Sequence, residues 1–334
     1  MPSTNQAFLL TARPVGLPRA TDWQLVARDV PPLGPDEVHV AVEYISLDPA
    51  MRGWMNAGRS YVPPVGVGEV MRALGAGRVV ASTSPSFAPG DAVTGVLGVQ
   101  THAVVPAAGL TKVDVARAPL QRYLGVLGMT GLTACFGLLE VGRPRPGDTV
   151  VVSAAAGAVG SVVGQIARIQ GCRVVGIAGS PGKCQRLRDA YGFDATIDYK
   201  AEDVIAALRR ECPKGIDVFF DNVGGTILEA ALANLARHAR VVICGAIAQY
   251  NATEPSPGPA NYMALLVQRA RMEGFVVFDY AERYAAALAD LAGWLEAGQL
   301  VAHEDVVEGL DRFPDALLRL FRGENEGKLV LHVG

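Results

Sequence analysis

Ala155, Gly157 and Gly160 carry the first chemical signal in this sequence. Their A-x-G-x-x-G spacing follows an apolar run at 149–154 and opens a segment in which Val159, Val162, Val163, Ile166 and Ile169 recur at helical intervals. Strand, tight turn and helix in that order form a cradle for a pyrophosphate. Gly157 has no side chain, so backbone can approach the anion. The turn continues through Ala158 and Val159, where the N–H groups of the helix start face the anion and the helix dipole adds a modest attraction. Gly160 lets helix and strand pack closely. Alanine replaces the first glycine, so the motif is degenerate, and the strand–turn–helix context gives it its meaning.

A second apolar run, 173–178, ends in Gly179-Ser180-Pro181-Gly182-Lys183. A site for NAD usually places Asp or Glu here, about twenty residues past the turn, on the ribose 2′-OH. A carboxylate ~4 Å from a 2′-phosphate would cost about 4 kcal/mol at an effective dielectric of 20. The hydroxyl of Ser180 and the ammonium of Lys183 stand there instead, which favours NADP(H). Ser180 also reads as a helix cap, and a cap is itself an anion site.

The elements around this unit repeat its pattern. Runs at 195–198, 216–221, 240–244 and 275–278 alternate with helical segments and, with the first two, predict six strands of a doubly wound parallel sheet. Ligands of such sheets lie beyond the carboxyl ends of the strands. Asp221-Asn222-Val223-Gly224-Gly225 and Cys244-Gly245-Ala246-Ile247-Ala248-Gln249-Tyr250-Asn251 fall there, and Asn222 and Tyr250 can donate hydrogen bonds. Residues 1 to about 120 read differently. Short apolar segments at 37–42, 77–81, 91–96 and 102–105 lie between Gly and Pro punctuation, which predicts a compact barrel-like β domain. The residues from Val301 onward return to short β and helix pieces.

The totals exclude several classes. In 334 residues there are 30 Lys+Arg against 33 Asp+Glu, with no basic block, so nucleic acid has no electrostatic footprint here. No run approaches about 18 uninterrupted apolar residues, which argues against a membrane span. The five cysteines, Cys135, Cys172, Cys184, Cys212 and Cys244, are odd in number and form no C-x-x-C pair. They read as reduced thiols of a cytoplasmic protein rather than a disulfide framework or a zinc lobe.

Taken together, Asp48-Pro49 with Met51-Arg52, the segment Gly128-Met129-Thr130-Gly131-Leu132-Thr133-Ala134, the turn with its following Ser161, Gly164-Gln165-Ile166-Ala167, the Asp221 to Gly225 motif, Cys244-Gly245 with Tyr250-Asn251, and Gly323 to Lys328 give the chain a family likeness. It resembles the medium-chain dehydrogenase/reductase superfamily over nearly its whole length, and within it the zinc-independent prostaglandin reductase and plant double-bond reductase group. The resemblance implies a GroES-like β-barrel domain at 1–122, to which 300–334 return, and a Rossmann domain at 123–299. It implies that NADP(H) is held by Gly157 to Gly160, Lys183, Tyr199, Asn222, the loop Cys244 to Tyr250 (Gly245, Ala246 and Ile247 included), Phe275, Val276, Val277 and Asn325, with Met129 and Thr130 in the matching segment. Lys183 corresponds to the family lysine on the 2′-phosphate. The family usually forms homodimers, and the run 275–278 could pair as a flat strand across such an interface.

Zinc-dependent members carry a cysteine ligand in the segment matching Tyr44 to Asp48, and this chain has no cysteine before Cys135. Without a Lewis acid to ionise an alcohol, the resemblance favours reduction of an activated C=C. NADPH would give hydride to the β-carbon of an enone or enal, and Tyr250 is the candidate donor to the enolate oxygen. Ala50 replaces a family tyrosine near the substrate side, where Arg52, Trp54 and Tyr61 are expected to shape the pocket. A quinone reductase with the same cofactor, and an NADPH-binding regulator without catalysis, are the alternatives.

Overall fold

The computed structural model describes residues 4–334, which divide into two compact units: the residues up to Gly125 with Glu304–Gly334, and Val126–His303. The first unit begins with an antiparallel ribbon of β1 (Thr4–Leu10) and β2 (Trp23–Asp29). After it come β3 (Glu37–Ser46), α1 (Ala50–Trp54), β4 (Leu74–Ser82), β5 (Ala92–Val96), β6 (His102–Pro106) and β7 (Leu110–Lys112). The order of the main sheet is β14-β15-β3-β4-β5-β7, with β6 also on β3, where β14 (Glu304–Glu308) and β15 (Lys328–His332) come from the far end of the sequence. All pairings are antiparallel except β14 with β15. That pair needs a crossover, and α9 (Phe313–Arg322) supplies it.

The helix α9 is strongly one-sided. Phe313, Ala316, Leu317 and Leu320 are buried, and Phe313 is fully enclosed, its ring 5.2 Å from those of both Phe8 and Trp23. It plugs the barrel-like unit. Lys328, only 3% exposed, ties β15 to the end of β3: its Nζ donates to Leu47 O at 3.1 Å and to Asp48 Oδ1 at 2.7 Å.

The second unit runs through α2 (Met129–Phe136), a π-helical turn, β8 (Thr149–Val152), α3 (Ala158–Ile169), β9 (Arg173–Ala178), α4 (Pro181–Asp189), β10 (Ala195–Asp198), α5 (Val204–Glu211), β11 (Ile216–Asp221), α6 (Gly225–Leu232), β12 (Leu235–Ile243), α7 (Ala264–Gln268), β13 (Arg271–Gly274) and α8 (Tyr284–Glu296). Its six-stranded sheet has the order β10-β9-β8-β11-β12-β13, every pair parallel. This is the doubly wound order, with the reversal between β8 and β11. The central strands are apolar on both faces because helices cover both: Val150, Val151, Val152, Val218, Phe219 and Phe220 are all fully buried.

The sixth strand differs from the sequence expectation. The run 275–278 is not a strand, and β13 precedes it. The Phe275 ring turns inward, 6.5 Å from the Phe220 ring and against Gly137, where a Cβ would collide with it. Val277 begins a 3-10 turn. The strand's own residues, Arg271-Met272-Glu273-Gly274, are all exposed at the sheet edge and carry no apolar pattern, and what makes them a strand is their pairing with Arg240 to Ile243. The idea that 275–278 pairs across an interface falls with the same observation.

Candidate functional site

Because all six strands are parallel, their carboxyl ends share one edge of the sheet. The first ligand-facing turn lies between β8 and α3. Gly157 is the N-cap of α3, whose apolar face, Val162, Val163, Ile166 and Ala167, is buried. The first N–H groups of the helix, at Ala158, Val159 and Gly160, lie in the first turn, where no intrahelical acceptor exists. Ala154 bends the chain with φ +47°, a left-handed conformation uncommon for a residue with a Cβ. The space Gly160 leaves is filled by this bend: a Cβ there would run into the Ala154 carbonyl oxygen and come 2.9 Å from Ala155 Cα. The third glycine therefore admits the turn's own backbone. The cradle has the shape and the donors for a pyrophosphate.

At the end of β9 the Ser180 hydroxyl accepts from Lys183 N at 3.3 Å and caps α4, with Pro181 at its first position. Tyr199, directly after β10, lays its ring over Gly179, where any side chain would meet the ring within 3 Å. Ser180, Lys183 and Tyr199 are thus gathered at one corner. A serine-capped helix start with a lysine, Lys183, in its first turn suits a phosphate monoester, which is what distinguishes NADP(H).

The ends of β11 and β12 form a connected knot. Asn222 Nδ2 donates to Ser153 O at 2.8 Å. Cys244 N and Gly245 N donate to Asp221 O at 2.9 and 3.1 Å, and Ile247 N to Asn222 O at 3.2 Å. Ala246 N donates to the Tyr250 hydroxyl at 3.3 Å, so that oxygen accepts within its own loop. Desolvation, and then the Asp221 carboxylate, push the Cys244 thiol up to about 12, which keeps it neutral. Phe275, Val276 and Val277 follow β13, at the same edge of the sheet. Met129 opens α2, its sulfur 4.0 Å from the Tyr284 hydroxyl, and Thr130 beside it is buried.

The remaining candidates lie in the first unit. Asn325 donates from Nδ2 to Gly327 O at 3.0 Å, within the turn before β15. Tyr61 is 57% exposed. Trp54 packs against the barrel core with Arg72 over its ring, 5.8 Å from the centroid. Arg52 is not the entrance group the sequence suggested. It is 3% exposed, and its guanidinium donates to Pro14 O, Gly16 O and Asn56 Oδ1, clamping the loop between β1 and β2. Among the described residues, no three His, Cys, Asp or Glu side chains converge as a metal site, and no helix is long and apolar enough to cross a membrane.

Sequence reading missed two groups at this edge: the buried carboxylate of Asp221 and the Ser153 hydroxyl that donates to it at 2.8 Å. The signal available was polar residues closing two apolar strands in neighbouring positions of the sheet.

Residues 6–113 match the family described as the N-terminal domain of oxidoreductase, and residues 158–293 the family described as zinc-binding dehydrogenase. The chain is 46% identical to the putative NADP-dependent oxidoreductase YfmJ of Bacillus subtilis, across 100% of this chain and 99% of that one. It is 41% identical to the NADP(+)-dependent 2-alkenal reductase of Nicotiana tabacum, across 99% and 98%. Among solved structures it is similar to CurA from Vibrio vulnificus in complex with NADPH, with a TM-score of 0.94 and 41% identity, covering 98% of this chain and 99% of that one.

Proposed function

This chain belongs to the medium-chain dehydrogenase/reductase superfamily, in its zinc-independent reductase group, and from that premise we propose that it reduces the activated C=C bond of α,β-unsaturated ketones and aldehydes with NADPH. The observation that carries this reading is the full-length likeness to the tobacco 2-alkenal reductase. The corner of Ser180, Lys183 and Tyr199 supports the choice of NADP(H) over NAD(H).

NADPH, when bound, supplies the hydride. The work of the chain is to hold the cofactor and to stabilise the charge that moves to the substrate's carbonyl oxygen. The Ala158 to Gly160 N–H groups hold the pyrophosphate, and Lys183 with the α4 start holds the 2′-phosphate. Asn222, the Cys244 to Tyr250 loop, Phe275 to Val277, Met129, Thr130 and Asn325 complete the proposed cofactor set. The Tyr250 hydroxyl donates a hydrogen bond to the developing enolate oxygen, and a proton then adds at the α-carbon to give the saturated carbonyl compound. Tyr61, exposed and aromatic, is assigned to the substrate side together with Trp54. Arg52 leaves that set.

The test is NADPH oxidation with enals, cyclic enones and quinones, with products identified. Enals and enones should give the saturated carbonyl compound with the highest kcat/KM. Faster turnover of quinones would move the assignment to a quinone reductase, and tight NADPH binding without turnover of any of them would make the protein a binder.

We also assign the protein to the cytoplasm as a homodimer. All five cysteines are free, which suits a reducing compartment. Among the described residues the edge strand β13 is unpaired on its outer side, and α7 just before it exposes Leu266 (69%) and Val267 (64%). Sedimentation should give twice the chain mass, and Leu266→Asp should yield a monomer.

A further inference from the structure

Asp221 is 1% exposed, and no basic side chain is among its hydrogen-bond partners. Its Oδ1 accepts from Ser153 Oγ at 2.8 Å, Val223 N at 3.0 Å and Gly224 N at 3.1 Å, and its Oδ2 accepts again from Gly224 N at 3.1 Å. Ser153 Oγ accepts in turn from Asn222 N at 2.8 Å, and Asn222 Nδ2 returns to Ser153 O at 2.8 Å. The ring Ser153–Asp221–Asn222 therefore joins the ends of β8 and β11. The backbone carbonyls of Asp221, Asn222 and Val223 then carry the loop after β12, by accepting from Cys244 N, Gly245 N, Ile247 N and Ala248 N.

Burying a carboxylate is costly, and packing does not require one. What the charge provides is an acceptor on both oxygens, which folds the turn with Gly224 at φ +72°. An amide has one acceptor and would turn its NH2 toward either the Gly224 N–H or the Ser153 hydroxyl. In the doubly wound sheet the adenosine half of a dinucleotide lies over β8, β9 and β10, and the nicotinamide half over β11, β12 and β13. The Asp221 knot lies wholly in the second half apart from its anchor on Ser153. Ser180, Lys183 and Tyr199 lie in the first.

We propose that Asp221, acting through Ser153 and the Asn222 to Gly224 turn, is the positioning residue for the nicotinamide half of the cofactor site, and that the adenosine half is organised independently of it. This rests on the NADP(H) reading, and the test separates the two. The full-length protein and its Asp221→Asn and Ser153→Ala variants are titrated with NADPH and with adenosine 2′,5′-bisphosphate, which carries the adenosine half alone. The emission of the nicotinamide in bound NADPH is recorded at saturation. In the variants the Kd for NADPH should rise about tenfold or more, the scale of one charge-assisted hydrogen bond. The bound emission should move toward that of free NADPH, and the Kd for the bisphosphate should stay within about twofold. Parallel weakening of both ligands would show general loosening and overturn the proposal, as would unchanged NADPH binding and emission. Should Asp221→Asn not fold, Ser153→Ala decides alone, since it removes one hydroxyl and leaves the carboxylate. Failure of the cofactor reading itself would appear in the unsubstituted protein, which would then bind neither ligand.

Discussion

A single hydroxyl separates two roles for Tyr250. As the enolate donor it acts on kcat; as a wall of the pocket it would act on KM. Tyr250→Phe keeps the ring and removes only the oxygen that accepts from Ala246 N. Turnover should fall at least tenfold while NADPH affinity stays within a few fold, because the Ala246 N–H bond at 3.3 Å is long and water can replace it. Steady-state kinetics on an enone decide this, and an unchanged kcat removes Tyr250 from the chemistry. Arg52 shows how far residue type misleads. Beside Asp48-Pro49 an arginine reads as a substrate group, yet burial has turned its charge to carbonyl oxygens, and desolvation lowers its pKa from the usual guanidinium value. Arg52→Ala strands the carbonyls of Pro14 and Gly16 and should cost about 3 kcal/mol in a denaturant melt. The Asp221 motif was visible in the sequence but the burial of its carboxylate was not, for the complementary reason: a buried acid and a surface acid are written with the same letter, and only the neighbouring strand reveals the Ser153 hydroxyl.

At the scale of elements, the turn and the helix starts are the readable features, because glycine, proline and serine act locally. Ser180 reads as a cap and caps α4; the strand–turn–helix order around Gly157 is present as spaced. The edge strand β13 could not be read, since its residues face solvent and its identity comes from a partner strand about thirty residues earlier. The apolar run after it looked like a strand because its composition is that of one, although only the Phe275 ring packs inward and Phe278 is exposed. Two substitutions test the elements that were readable. Gly160→Ala forces the turn away from α3, since the new Cβ would meet Ala154 O, and no flexible side chain is there to yield. NADPH binding should be lost while the far-UV spectrum is kept; binding within a few fold of the parent would mean the turn relaxes freely. Lys183→Ala removes the ammonium beside the α4 cap. The kcat/KM ratio for NADPH over NADH should fall about tenfold or more, chiefly through the NADPH value. An unaltered ratio would place the 2′-phosphate elsewhere.

Across the whole molecule the two units rest on different physics. The second is a parallel sheet covered on both faces, as its unbroken Val and Phe runs announced. The first is a mixed sheet whose strands are tied by polar links as well as by core: Lys328 on Asp48, Asn5 on Gln100, and His39 on His102. The histidine pair gives this unit a pH dependence. His39 Nε2 and His102 Nδ1 are 3.1 Å apart, joining β3 to β6, and one ring must be the acceptor, so the bond needs at least one neutral imidazole. Burial lowers both pKa values, and His102 lowers that of His39 further. A base with a depressed folded pKa binds fewer protons folded than unfolded. Its contribution to stability is present above the unfolded value, about 6.5, and is lost as pH falls through the folded values below it. The thermal midpoint of this unit should therefore drop as pH is lowered from about 7 to about 5. The variant carrying His39→Gln and His102→Gln keeps a side-chain hydrogen bond without a titrating ring, so its midpoint should fall less over the same interval. Parallel curves for parent and variant would assign the pH dependence to other groups.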